Sequence, residues 1–187
     1  MSLNDQPARS EVLSANGISH YGWTTIVLHW IGAFAILISY LTGEMLEDRG
    51  GGIGSHVSWA AVLAVPLIIR VAWRMVDGIR RTSDQPAIFH LASKIVMVGF
   101  LVTIVVSVVT GILLPWSLGN PLEVFSLSIP SPLPRMRDLH EVLEETHEVA
   151  VHLFIPLVVL HVAGALKHAV IDRDNVLKGI FVPVRDR

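Results

Sequence analysis

Four long stretches without a charged residue constrain this chain more than any other feature. They cover residues 21–43, 50–69, 95–122 and 149–166, which is 23, 20, 28 and 18 residues. A helix that crosses the hydrocarbon of a bilayer needs about 20 predominantly apolar residues. Within lipid, every backbone N–H and C=O must find its partner inside the protein, so apolar segments of this length become helices. The second stretch opens with glycines, which places the start of its helix near Ile53 and its end beyond Arg70. The fourth lies between Glu148 and Lys167 and should extend both ways into polar sequence. The predicted spans are about 21–43, 53–74, 90–115 and 141–170. Buried helices of a soluble bundle are the rival reading, and they would need charged faces around them. Charged residues make up only 16% of the 187, against about 25% in soluble domains. The expected fold class is therefore all-α: an integral membrane four-helix antiparallel bundle.

Loop charge orients it. The segment after the first span holds Glu44, Glu47, Asp48 and Arg49, and the long one after the third holds Arg135 and Arg137 against six acids. By contrast, Arg70, Arg74, Arg80, Arg81 and Lys94 flank the connection between spans two and three. The tail carries Lys167, Arg173, Lys178, Arg185 and Arg187. Cytoplasmic loops carry the excess of Lys and Arg, so both termini are expected inside, in agreement with an even number of spans. Residues 1–20 do not read as a signal peptide and are expected to form a flexible cytoplasmic tail before a single domain over 21–183. The connection from Pro115 to Arg137 is rich in Pro and Ser and reads as an outer loop. No internal repeat is evident. A net charge of −2 gives no reason to expect nucleic acid as a partner.

The chain has nine histidines and no cysteine. The latter excludes disulfides, thiolate metal sites and covalent attachment of haem through C-x-x-C-H. A histidine inside a membrane span is costly unless paired or liganded, so its default reading is functional. His29, His56, His147 and His161 lie in or at the ends of the apolar runs. His147 and His161 are 14 residues apart. At 1.5 Å per residue that is about 21 Å along one helix and close to four turns, so both face the same side near opposite membrane surfaces. Depth matches His29 with His161 and His56 with His147. Two bis-imidazole pairs stacked across a membrane are what two non-covalent b haems require.

Other uses of these histidines weigh less. A hard-cation pathway should show carboxylates within the spans, and these spans have none. A haem-free, histidine-lined transporter is therefore the remote alternative. His140 and His168 share the stripe of His147 and His161 but fall outside the buried zone; His152 leaves from another face. His20 and His90 precede spans one and three. None of these five is expected to ligate. Gly32 and Gly164 each follow an inner histidine by three residues, where a flat macrocycle would need a surface without Cβ. Pro156 should bend the fourth span. Arg70 and Arg74, one turn apart, are candidates to pair with haem propionates, with plain positive-inside anchoring as the competing role.

These residues resemble the bacterial cytochrome b561 family of small four-helix dihaem membrane proteins. The similarity rests on His29-Trp30, His56-Val57-Ser58, Arg70-Val71-Ala72-Trp73-Arg74, and Asn120-Pro121 with Phe125, Leu127 and Pro130. It continues through His147-Glu148, His161 and the tail Arg173-Asp174-Asn175 with Leu177 and Pro183. The resemblance implies ligation by the same four histidines, location in the bacterial inner membrane, and quinone (ubiquinone) as an electron partner. It also implies electron exchange with a periplasmic-side donor, with superoxide:ubiquinone oxidoreduction as one form. A second form is the haem b subunit of a membrane-bound dehydrogenase or hydrogenase. The outer loops sum to about −6, which suits a basic periplasmic redox protein better than the superoxide anion.

Overall fold

The structure, a computed structural model, describes residues 22–47, 53–77, 86–173 and 176–182. The predicted N-terminal tail with His20, the basic pair Arg80 and Arg81, and Asp174, Asn175 and Pro183 lie outside the described residues. Four long helices dominate: α1 (Trp23–Glu47), α2 (Ile53–Asp77), α3 (Ala87–Ser117) and α4 (Arg137–Lys167). The shortest has 25 residues, about 37 Å at 1.5 Å rise, which exceeds the roughly 30 Å hydrocarbon thickness. All four are long and apolar enough to cross a membrane. Their bounds lie within a few residues of the predicted spans, and the differences fall at polar ends where hydropathy stops discriminating.

Neighbouring helices run antiparallel, as cross-helix bonds show. The end of α1 meets the start of α2 through Thr42 and His56, and the start of α1 meets the end of α2 where Trp73 Nε1 donates to Thr25 Oγ1 at 3.1 Å. Ser117 and His140 join the end of α3 to the start of α4. Pro66 and Pro156 lie inside continuous helices, where neighbouring helices in a membrane bundle can compensate the freed backbone groups. A π-helical turn (His168–Asp172) follows α4, and the short α5 (Val176–Gly179) folds back toward α1. There the Trp30 indole donates to the Ile180 carbonyl at 3.0 Å and packs on Phe181.

The loop between α3 and α4 is more ordered than its composition suggested. It forms a hairpin, β1 (Leu122–Val124) paired antiparallel with β2 (Leu127–Ile129), bracketed by Pro121 and Pro130. Three-residue strands are too short to produce a readable alternation, which is why the sequence shows only a loop. The two-residue turn puts Phe125 at φ 53°, uncommon for a bulky residue. Tertiary contacts offset that cost: the Phe125 N–H donates to Ser58 Oγ at 2.8 Å, and its ring meets Trp59 edge-on. Ser58 Oγ also lies 3.0 Å from the Gly54 carbonyl and 3.3 Å from that of Glu123, so α2 holds the hairpin over one end of the bundle.

One apolar layer crosses the middle. Ala35, Leu67, Ile104 and Phe154, one from each long helix, form the buried cluster, with Leu63, Val71 and Phe100 among the side chains packed against it. Most large apolar side chains instead point outward; Phe34, Val65 and Leu160 are each more than half exposed. In water such a surface would aggregate, whereas in a bilayer it is the solvated face. The fold is a four-helix membrane bundle.

Candidate functional site

The apolar layer separates two clusters of imidazoles. At the end carrying α5, called here the terminal end, His29 of α1 faces His161 of α4 with ring centres 6.0 Å apart and planes at 39°. Phe100 of α3 closes one side, edge-on to His161 at 5.6 Å. Arg70 of α2 closes another: its Nη2 lies 3.0 Å from His29 Nδ1, and its Nη1 donates to the Leu28 carbonyl at 3.1 Å. Gly32 makes room for this arginine, since a Cβ there would come within 2.6 Å of Arg70 Cδ. That is a different use of Gly32 from the predicted macrocycle surface. Gly164 has nothing within 4 Å of its Cβ position and remains open. Arg74 reaches across to α3, with Nε and Nη2 at 3.1 and 2.9 Å from Met97 Sδ.

At the hairpin end stand His56, in the first turn of α2, and His147 of α4. Each ring has a threonine at Nδ1. Thr42 Oγ1 of α1 lies 3.2 Å from His56, and Thr110 Oγ1 of α3 lies 2.8 Å from His147. Sequence reading missed both threonines. A threonine in an apolar run is neutral at the level of hydropathy, and its partner is on another helix.

The remaining described histidines have other engagements. His140 Nδ1 lies 2.9 Å from Ser117 Oγ and 3.3 Å from the Leu114 carbonyl, tying α4 to α3. His152 Nδ1 donates to the Glu148 carbonyl one turn earlier, and its Nε2 approaches Glu44 at 3.8 Å. His168 sits in the π-helical turn, 3.5 Å from Asp172, which also pairs with Lys167. His90 is half-buried near the start of α3.

The terminal-end pair can be tested against a haem directly. Two imidazoles bound to one metal through bonds of about 2 Å place their ring centres about 6 Å apart. The observed 6.0 Å fits. Arg70 can only donate, so its contact makes His29 Nδ1 an acceptor, and ligation through Nε2 would require the ring proton to move to Nδ1 and the guanidinium to leave it. Among the described residues, no group of three or more His, Asp or Glu gathers to form a cage for a bare ion. A two-imidazole donor set suits an iron whose other four ligands come from a porphyrin.

The match to known proteins agrees. The chain fits the family model described as prokaryotic cytochrome b561 over residues 20–182, which takes in all four long helices and every histidine discussed above. An apolar four-helix bundle with facing imidazoles is what such a cytochrome requires, and the chain belongs to the prokaryotic cytochrome b561 family, as a membrane b-type cytochrome of electron transfer.

Proposed function

We propose that this chain holds two haem b groups, one between His29 and His161 and the other between His56 and His147, and passes electrons across the bacterial inner membrane. The observation that carries this reading is the 6.0 Å spacing of the His29 and His161 rings. The hairpin-end pair rests on matched depth and on the threonine at each Nδ1, which leaves Nε2 free. When bound, each haem supplies a one-electron couple; the protein sets its position, ligands and surroundings. If both imidazoles of a pair ligate, they would leave no open position at the iron, which favours electron transfer over oxygen chemistry.

Arg70 has a second part in this reading. A ligating His29 uses its Nε2 lone pair and keeps its proton on Nδ1, where it cannot accept from a guanidinium. Arg70 then gives up the His29 contact, and a propionate is the natural acceptor for it and for Arg74 one turn on. The two arginines would thus both hold the cofactor and mark the cytoplasmic side. Arg70, Arg74, Lys94, Lys167 and Lys178 cluster toward the terminal end, whereas Glu44, Glu123, Glu141, Glu144 and Glu148 lie toward the hairpin end. By the positive-inside rule the hairpin end is periplasmic and both termini are cytoplasmic.

The partners we infer are a periplasmic-side donor and the ubiquinone pool. The acidic hairpin face favours a basic redox protein or the catalytic subunit of a dehydrogenase or hydrogenase as donor. Superoxide, an anion, would have to approach through Arg135 and Arg137 against that field. Pyridine haemochrome assay of purified protein should give two haems per chain. His147→Ala and His161→Ala should each lose one haem and keep the other; retention of two haems by either variant refutes the pairing. Stopped-flow mixing of the purified protein with superoxide decides the donor: haem reduction that superoxide dismutase abolishes would establish the superoxide reaction, and no reduction would exclude it in favour of a protein donor.

A further inference from the structure

The hairpin end contains a short repeat that hydropathy does not reveal. Ser39-Tyr40-Leu41-Thr42-Gly43 of α1 and Ser107-Val108-Val109-Thr110-Gly111 of α3 share the pattern Ser-x-x-Thr-Gly. Each motif sits against the histidine of the following helix in the same way. Thr42 Oγ1 donates to its own Ile38 carbonyl at 2.8 Å, and Thr110 Oγ1 to its own Val106 carbonyl at 2.7 Å. A hydroxyl has one proton, and here it is committed along the helix. Toward the rings, therefore, both threonine oxygens accept, and His56 and His147 each donate from Nδ1–H. Each hydroxyl also has the preceding carbonyl within reach, Thr42 Oγ1 3.1 Å from that of Ser39 and Thr110 Oγ1 3.3 Å from that of Ser107. The glycines permit the approach: a Cβ at Gly43 or Gly111 would lie 3.4 or 3.2 Å from the imidazole.

The repeat stops at the other end. Thirteen residues before Thr42 is His29, but thirteen before Thr110 is Met97. Fourteen residues after His147 is His161, but fourteen after His56 is Arg70. An imidazole pair with matched hydroxyl acceptors at one end is thus replaced at the other by an imidazole pair beside a cation.

We propose that Thr42 and Thr110 are positioning residues that hold His56 and His147 as Nδ1–H tautomers and make the hairpin-end haem the lower in potential of the two. This rests on the ligand pairing proposed above. An acceptor on Nδ1–H raises the basicity of the coordinating nitrogen and favours ferric iron. The Arg70 and Arg74 guanidiniums at the terminal end favour the reduced form there. With haem held by both pairs, these surroundings would favour passage of one electron from the site of His56 and His147 to that of His29 and His161, the first losing and the second gaining it, which in the proposed orientation runs from the periplasmic toward the cytoplasmic side.

Spectroelectrochemical titration of the full-length dihaem protein tests this. The wild type should show two one-electron steps, and His147→Ala should lack the lower. Thr42→Val and Thr110→Val preserve shape and remove the acceptor. Each should raise the lower step so that the ferric-to-ferrous ratio at fixed potential falls by up to tenfold, about 59 mV, with the upper step unmoved. Thr→Ser at either position should restore it. Unmoved potentials, or movement of the upper step alone, overturn the proposal. A Val variant that loses the hairpin-end haem supports it if the Ser variant recovers haem and potential, and overturns it if not. Two haems retained in His147→Ala would instead fault the underlying ligand pairing, so the two failures are distinct.

Discussion

Arg70 shows how much one side chain can change the chemistry of its neighbours. Its stem lies on Gly32 and its head reaches His29 and the Leu28 carbonyl, so a single methyl on α1 would displace it. Gly32→Ala should destabilise the protein by about 1–3 kcal/mol through overpacking. In the haem-loaded protein it should perturb the terminal-end haem and leave the hairpin-end haem unaltered; redox-resolved absorption spectra together with thermal melting check this. The sequence marked Gly32 as a small residue near a ligand, but a small residue against a macrocycle and one against an arginine stem look alike in one dimension. The threonines were illegible for a related reason. Their function comes from a proton donated along one helix and accepted from another, which spacing within a single run cannot show.

The elements differ in how plainly the sequence announced them. The long helices follow from run length, because lipid leaves an apolar segment no other way to pair its backbone. The hairpin does not, because its stability comes from Ser58 and Trp59 on α2 rather than from its own six strand residues. The short helix α5 is likewise held from outside, by Trp30 on α1. Trp30→Phe keeps an aromatic ring for Phe181 but removes the indole donor to Ile180, a loss of about 1 kcal/mol. Such a small loss is local: amide hydrogen exchange should rise over residues 176–182 while α1 to α4 keep their protection. Equal loosening of all helices would mean that α5 is integral to the bundle rather than a strap upon it.

For the molecule as a whole, the two ends are chemically opposite. Among the described residues, acidic side chains gather toward the hairpin and basic ones toward the end carrying α5, while the sides are apolar. This predicts the topology. Alkaline phosphatase inserted between Ser131 and Leu133 should be active, and the same enzyme fused after Arg187 inactive, with a fluorescent protein fusion giving the converse. Reversed readouts would contradict the proposed orientation and place the acidic face in the cytoplasm. The family match and the fold are independent of that outcome, since neither depends on which face is periplasmic.

The sequence was sufficient for the number of long apolar helices, their approximate limits and the positions of the four candidate histidines along them. Hydrophobic length and rise per residue are properties of a single segment, so depth-matching alone joined His29 to His161, and the structure places their rings 6.0 Å apart. What stands beside each ring required the packed bundle. These helices are apolar around most of their circumference, α3 above all, so the pattern does not say which face turns inward. Once packing sets those rotations, Thr42 and Thr110 meet the two hairpin-end histidines, Arg70 meets His29 and Ser58 meets the hairpin. Helix depth is a local quantity, whereas helix rotation is settled only by contact with neighbours.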